Sequence, residues 1–192
     1  SNWAFRAMIF AGGAIVFAGA LLRTWGSAYL ESAVVHDTRV HAEALVADGP
    51  YRRVRNPLYL GSLMIAFGMG LLASRLGFAV LMATLTLLAL RLIGREEAQL
   101  AQTQGESYRK YCTAVPRLWP SLAAKLPAAG KRPQWKQALL GEASSYLFVL
   151  GELCFAITLR SKFTWTIVGV SLVLYVTLMP LWRKKRAERL QQ

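Results

Sequence analysis

The sequence predicts an all-α polytopic membrane protein with about five transmembrane helices, and three observations carry that prediction. Of the 192 residues, 55% are hydrophobic. They gather into nearly uncharged runs at 8–22, 58–74, 76–90, 143–159 and 163–182, each close to the roughly 20 residues that cross a bilayer core. The formal net charge of +13 falls largely in the segments between and after those runs. Backbone polar groups at bilayer depth must be satisfied within the segment, which favours helices.

The charge distribution orients the chain. With five spans, one side receives Arg39, Arg52, Arg53, Arg55, the basic segment 95–136 and the tail RKKRAER, while the other receives Arg6, Arg75, Arg160 and Lys162. Positive charge concentrates in cytoplasmic loops, so the N-terminus is expected outside and the tail in the cytoplasm, in a bacterial inner membrane. Topology and anionic lipid headgroups at the basic face account for the charge, so no nucleic-acid partner is expected. Oligomeric state is not legible. Cys112 and Cys154 fall on a cytoplasmic segment and inside a helix, which argues against a disulfide. They have no metal-ligand company, and His36 and His41, five apart, match no zinc spacing, so no metal is expected.

The first helix lacks a cleavable signal pattern. Arg23 and Trp25 at its end suit the inner interface, where a long cation snorkels and an indole sits at headgroup level. Residues 31–47 suit a short interfacial helix or a loop along the membrane. Asp48-Gly49-Pro50 supplies turn chemistry, and Pro50 and Pro57 each disfavour helix immediately before them. The intervening segment, YRRVRN, is therefore a turned, partly extended loop at the membrane face, and the next helix forms the floor of a pocket. The runs 58–74 and 76–93 are joined too closely to be anything but an antiparallel hairpin. Gly61, Gly68 and Gly70 on its first arm serve either close helix approach or ligand contact. Arg91 returns a guanidinium to the loop face.

Residues 94–113 read as a helix leaving the membrane, a break at Gly105 and a second short helix, with Tyr108 and Tyr111 on one face. Val115 to Pro120 ends helical structure. The expected division is a core at 1–120, a cytoplasmic linker at 121–137 and a two-helix extension at 138–192. Glu152 is the anomaly of that extension, because a carboxylate near mid-span usually faces a partner or a cavity; it can also be protonated or bonded to a neighbouring helix.

GPYRRVRNPLYLG at 49–61, GMG at 68–70, REEAQL at 95–100 and GESYRKYCTAVPRLWP at 105–120 resemble the integral-membrane methyltransferases that include phospholipid N-methyltransferases and isoprenylcysteine carboxyl methyltransferases. The resemblance covers about residues 19–120 and leaves the extension unexplained. It implies S-adenosylmethionine as methyl donor, bound at the cytoplasmic ends of the helices between the arginine-proline loop and the glutamate-bearing helix. Carried over by motif, the donor site comprises Gly49, Tyr51, Arg52, Arg55, Asn56, Tyr59, Gly68, Gly70, Glu96, Glu97, Tyr108 and Tyr111. Glu97, Arg91 and Arg95 are the implied catalytic groups.

The donor's chemistry agrees with that choice. Carboxylates can bond an amino group or ribose hydroxyls, a planar guanidinium can fork onto a carboxylate, and aromatic faces can meet an adenine or a sulfonium. Taken singly, the same residues also read as a helix start, lipid-phosphate anchors and an interfacial aromatic belt. The implied acceptor is a membrane lipid or similarly lipophilic molecule, most readily a phospholipid or lipid amine. Carboxyl O-methylation is the alternative, disfavoured because Asn56 stands where prenylcysteine enzymes typically carry histidine. A non-catalytic or nicotinamide-dependent reductase relative is a further alternative, although nothing supplies the extra helices such enzymes use.

Overall fold

The computed structural model describes residues 2–36 and 48–159, together with positions 162, 166, 167, 169, 170, 173 and 177. The elements are α1 (Asn2–His36), a 3₁₀ turn (Gly49–Arg52), α2 (Pro57–Gly70), α3 (Arg75–Ala114), α4 (Trp135–Gly141) and α5 (Ala143–Thr158). Among the described residues the regular structure is all helical, as the hydrophobic runs require. Trp3–Leu30 and Arg75–Ala114 are long and apolar enough to cross a membrane, and α4 with α5 forms a third, bent candidate. α2 is apolar but has only 14 residues. At about 1.5 Å per residue it is shorter than the bilayer core. The expected fifth run, at 163–182, lies almost wholly outside the described residues, as do the basic tail and residues 37–47.

The α1–α2 pairing is built on glycines at seven-residue spacing. A Cβ at Gly68 would come within 2.5 Å of the Gly12 carbonyl oxygen, and one at Gly19 within 2.7 Å of the Gly61 carbonyl oxygen. The pairs Gly12/Gly68 and Gly19/Gly61 keep step because the helices are antiparallel and both glycine sets repeat every seven residues. A heptad interval returns a residue to nearly the same helix face, and small residues on that face let the backbones meet. Gly70 serves a different contact, against the ring of Phe78 on α3.

Ser74 caps α3 by accepting a hydrogen bond from the Gly77 amide, which makes the tight turn back from α2. The helix is interrupted at Gly105, whose φ of 55° and ψ of −127° are non-helical and lie where glycine alone is at ease. The break expected at Gly105 is thus present.

The rest of the chain shows contacts and a bend that the sequence did not predict. The segment after Pro120 is bonded across the arginine-proline loop: the Ser121 amide donates to the Arg53 carbonyl and the Lys125 amide to the Arg52 carbonyl. Asp48, buried, accepts from the amides of Ala129 and Lys131 at 2.9 and 2.8 Å. The helix expected to run through 139–159 is broken at Glu142, with a bend of 56° between α4 and α5. Glu152 is buried against Gly12 and Gly13 of α1 and both of its carboxylate oxygens are without a hydrogen-bond partner.

Candidate active site

A cavity of about 220 Å³ opens where the loop, the start of α2 and the polar half of α3 converge. Each element contributes by a local rule. Pro57 starts α2, its missing N–H being no loss in a first turn, so Pro57, Leu58 and Tyr59 form one wall. On α3, Glu97, Leu100 and Gln104 follow one another at intervals of three and four residues and share a face, as do Tyr108 and Tyr111 beyond the break at Gly105; all five line the cavity, with Glu96. Tyr51 and Arg55 enter from the loop, and Leu30 from α1.

The loop is fixed to α3 from both ends. Tyr111 donates its hydroxyl to the Tyr51 carbonyl at 2.9 Å. The Arg55 amide bonds the Pro116 carbonyl at 2.9 Å. Gly49 opens the 3₁₀ turn at a φ of 56° with its Cα against the ring of Tyr29, leaving no room for a Cβ. Tyr108, Tyr111 and Val115 form a buried cluster beneath this junction.

Glu97 is the hub of the polar groups. Its Oε1 lies 3.2 Å from an Arg55 Nη and accepts from Asn56 Nδ2 at 3.1 Å, while Arg117 Nε lies 3.0 Å from Oε2. Glu96 accepts the Tyr59 hydroxyl at 2.7 Å. Arg55 and Gln104, both lining residues, each hold one buried polar atom without a hydrogen-bond partner, Arg55 Nε and Gln104 Oε1. An unpaired buried donor and acceptor cost free energy. Burial pushes the Tyr51 hydroxyl well above the usual phenol range, with the nearby Glu96 charge adding to the effect. Tyr51 is therefore neutral at physiological pH.

The family profile for phospholipid methyltransferases matches residues 7–107, just over half of the chain. The chain belongs to the phospholipid methyltransferase family. Comparison with curated proteins and with solved structures gives no match. The family and the apolar helices together make the chain an integral membrane methyltransferase.

Within this methyltransferase, the structure brings Tyr51, Arg55, Asn56, Tyr59, Glu96, Glu97, Tyr108 and Tyr111 to one cavity. Other residues singled out from the sequence sit elsewhere. Arg52 donates from Nε to the Leu126 carbonyl at 2.7 Å, Gly49 packs on Tyr29, and Gly68 and Gly70 pack helices together. Arg91 and Arg95 are exposed on α3, outside the cavity lining. Sequence reasoning passed over Leu30, Leu58, Leu100 and Gln104, as well as Arg117, which holds Glu97 from behind. The signal for Leu100 and Gln104 was available in their helical spacing from Glu97, before the break at Gly105. No metal-binding cluster of His, Cys, Asp and Glu is found among the described residues.

Proposed function

We propose that the chain is an S-adenosylmethionine-dependent methyltransferase acting on a phospholipid or lipid amine, with the donor in the cavity between the arginine-proline loop and α3. The observation that carries this reading is the convergence of Arg55, Glu96, Glu97 and Gln104 with Tyr51, Tyr59, Tyr108 and Tyr111 on one cavity. Arg55 offers an N–H to the donor carboxylate, and Gln104 an acceptor to an amino or hydroxyl group. Glu96 suits the donor ammonium or ribose hydroxyls, and Tyr51, Tyr108 and Tyr111 offer ring faces to adenine.

When bound, the donor supplies an electrophilic methyl group on a sulfonium. The protein's work is alignment and exclusion of water. An amine acceptor must first surrender a proton, to Glu96, Glu97 or a lipid phosphate. Glu97 spends its lone pairs on Arg55, Arg117 and Asn56, which favours it as the group that sets Arg55. Arg91 and Arg95, exposed near the middle of α3 beside Glu96 and Glu97 in sequence, suit the acceptor's phosphate. The positive charge of the loops supports a cytoplasmic position for the site.

Calorimetry of the purified chain with S-adenosylmethionine and, separately, with a nicotinamide dinucleotide tests the donor. Saturable binding of the former alone is expected; binding of the dinucleotide alone would favour a reductase relative.

A further inference from the structure

Glu142 lies outside residues 7–107 that match the family, yet its carboxylate is connected to the wall of the cavity. Arg23 of α1 meets it with a two-pronged fork, Nε to Oε2 at 2.7 Å and Nη2 to Oε1 at 2.8 Å. Ser27 donates to Oε1 at 3.2 Å and Ser145 to Oε2 at 3.0 Å. The Glu142 side chain is 7% exposed. The expected interfacial Arg23 thus has a specific protein partner, a buried carboxylate at the α4–α5 bend.

The remaining Arg23 nitrogen reaches a different element. Nη1 donates to the Leu58 carbonyl at 3.3 Å and to Ser62 Oγ at 2.5 Å. Ser62 in turn donates to the Leu58 carbonyl at 2.9 Å. Leu58 belongs to the first turn of α2, and Pro57, Leu58 and Tyr59 line the cavity. On α1, Ser27 is one turn from Leu30, which also lines it. Thr24 and Tyr146 share a hydrogen bond of 2.7 Å, and the Gln134 amide bonds the Ala28 carbonyl at 2.9 Å, so α4 and α5 are held against this same stretch of α1.

We propose that Glu142 and Arg23 are positioning residues for the methyltransferase site, through which the C-terminal extension sets the first turn of α2 and hence one wall of the donor cavity. The inference rests on the reading of that cavity as the donor site. Arginine suits the task because one rigid guanidinium satisfies a carboxylate with one edge and reaches the first-turn Leu58 carbonyl and Ser62 hydroxyl of α2 with the remaining nitrogen. Lysine, a point charge on a flexible stem, cannot hold both. Without the relay, the wall carrying Leu58 and Tyr59 keeps its packing on Gly26 but loses its polar tie to α1, and the Tyr59 bond to Glu96 loses its fixed origin.

The test compares the full-length wild type with R23K and with R23M/E142M, reading S-adenosylhomocysteine binding by calorimetry and thermal unfolding in the same detergent. The double variant removes both buried charges and keeps apolar volume, a replacement that is often neutral or stabilising. Both variants are expected to bind about tenfold more weakly, as a displaced wall costs affinity, while R23M/E142M unfolds at or above the wild-type temperature. If R23M/E142M does not fold, R23K, which keeps the charge, carries the comparison. Wild-type affinity in a folded R23M/E142M, or in R23K where the double variant does not fold, would overturn the relay and leave the ion pair as packing. A wild type that does not bind S-adenosylhomocysteine would overturn the donor-site reading itself, and the relay with it.

Discussion

Glu97 shows how much of a site can hang on one side chain. Arg55, Arg117 and Asn56 all converge on it, so Glu97→Ala removes the carboxylate that orients Arg55 and leaves two guanidinium groups uncompensated. Donor affinity is expected to fall by at least about tenfold, since a hydrogen bond to a charged group is worth about 1.5–3 kcal/mol. Unchanged affinity by calorimetry would return Glu97 to the role of an ordinary helix residue. The buried phenol of Tyr51 gives a prediction in pH. Its hydroxyl is raised by burial, so the folded state resists its ionisation more than the unfolded chain does. The stability it contributes is therefore complete below the ordinary phenol value of about 10 and is lost as pH rises above it. Unfolding temperatures measured from pH 8 to 11 should fall only in the upper part of that range, and less steeply in a Tyr51→Phe variant.

At the scale of elements, the α1–α2 interface depends on glycines more than on any large side chain. Gly19→Ala and Gly68→Ala each place a methyl group into the opposing backbone, and overpacking of this kind costs about 1–3 kcal/mol. Gly141→Ala, at a position with nothing within 4 Å of the added carbon, is the matched control and should not destabilise. Equal unfolding temperatures for all three would contradict the close approach. Much of this architecture was legible. The apolar runs predicted α1, α2, α3 and α5, and Gly105 announced its own break. The role of Gly68 was not legible, because a glycine near a binding motif and a glycine between helices look alike until the partner helix is known. Gly12 and Gly19, at the same seven-residue interval as Gly61 and Gly68, were the available clue. The pairing at the Glu142 bend was hidden because the partner, Arg23, lies 119 positions away in sequence.

On the scale of the whole molecule, the cavity joins two environments. Its polar lining comes from the loop and from α3 beyond Gly94, whereas the apolar part of α3 bears exposed Leu76, Val80 and Leu87, side chains suited to a bilayer. An acceptor held with its reactive group at the cavity and its chain among the helices gains roughly 0.8 kcal/mol for each methylene buried, so chain length should govern the reaction. The most direct measurement is methyl transfer from labelled S-adenosylmethionine to phosphatidylethanolamine and to its water-soluble headgroup, phosphoethanolamine, with the chain in lipid nanodiscs. The account predicts transfer to the lipid at a rate far above that to the headgroup; equal rates for the two, or no transfer to any lipophilic acceptor, would contradict it.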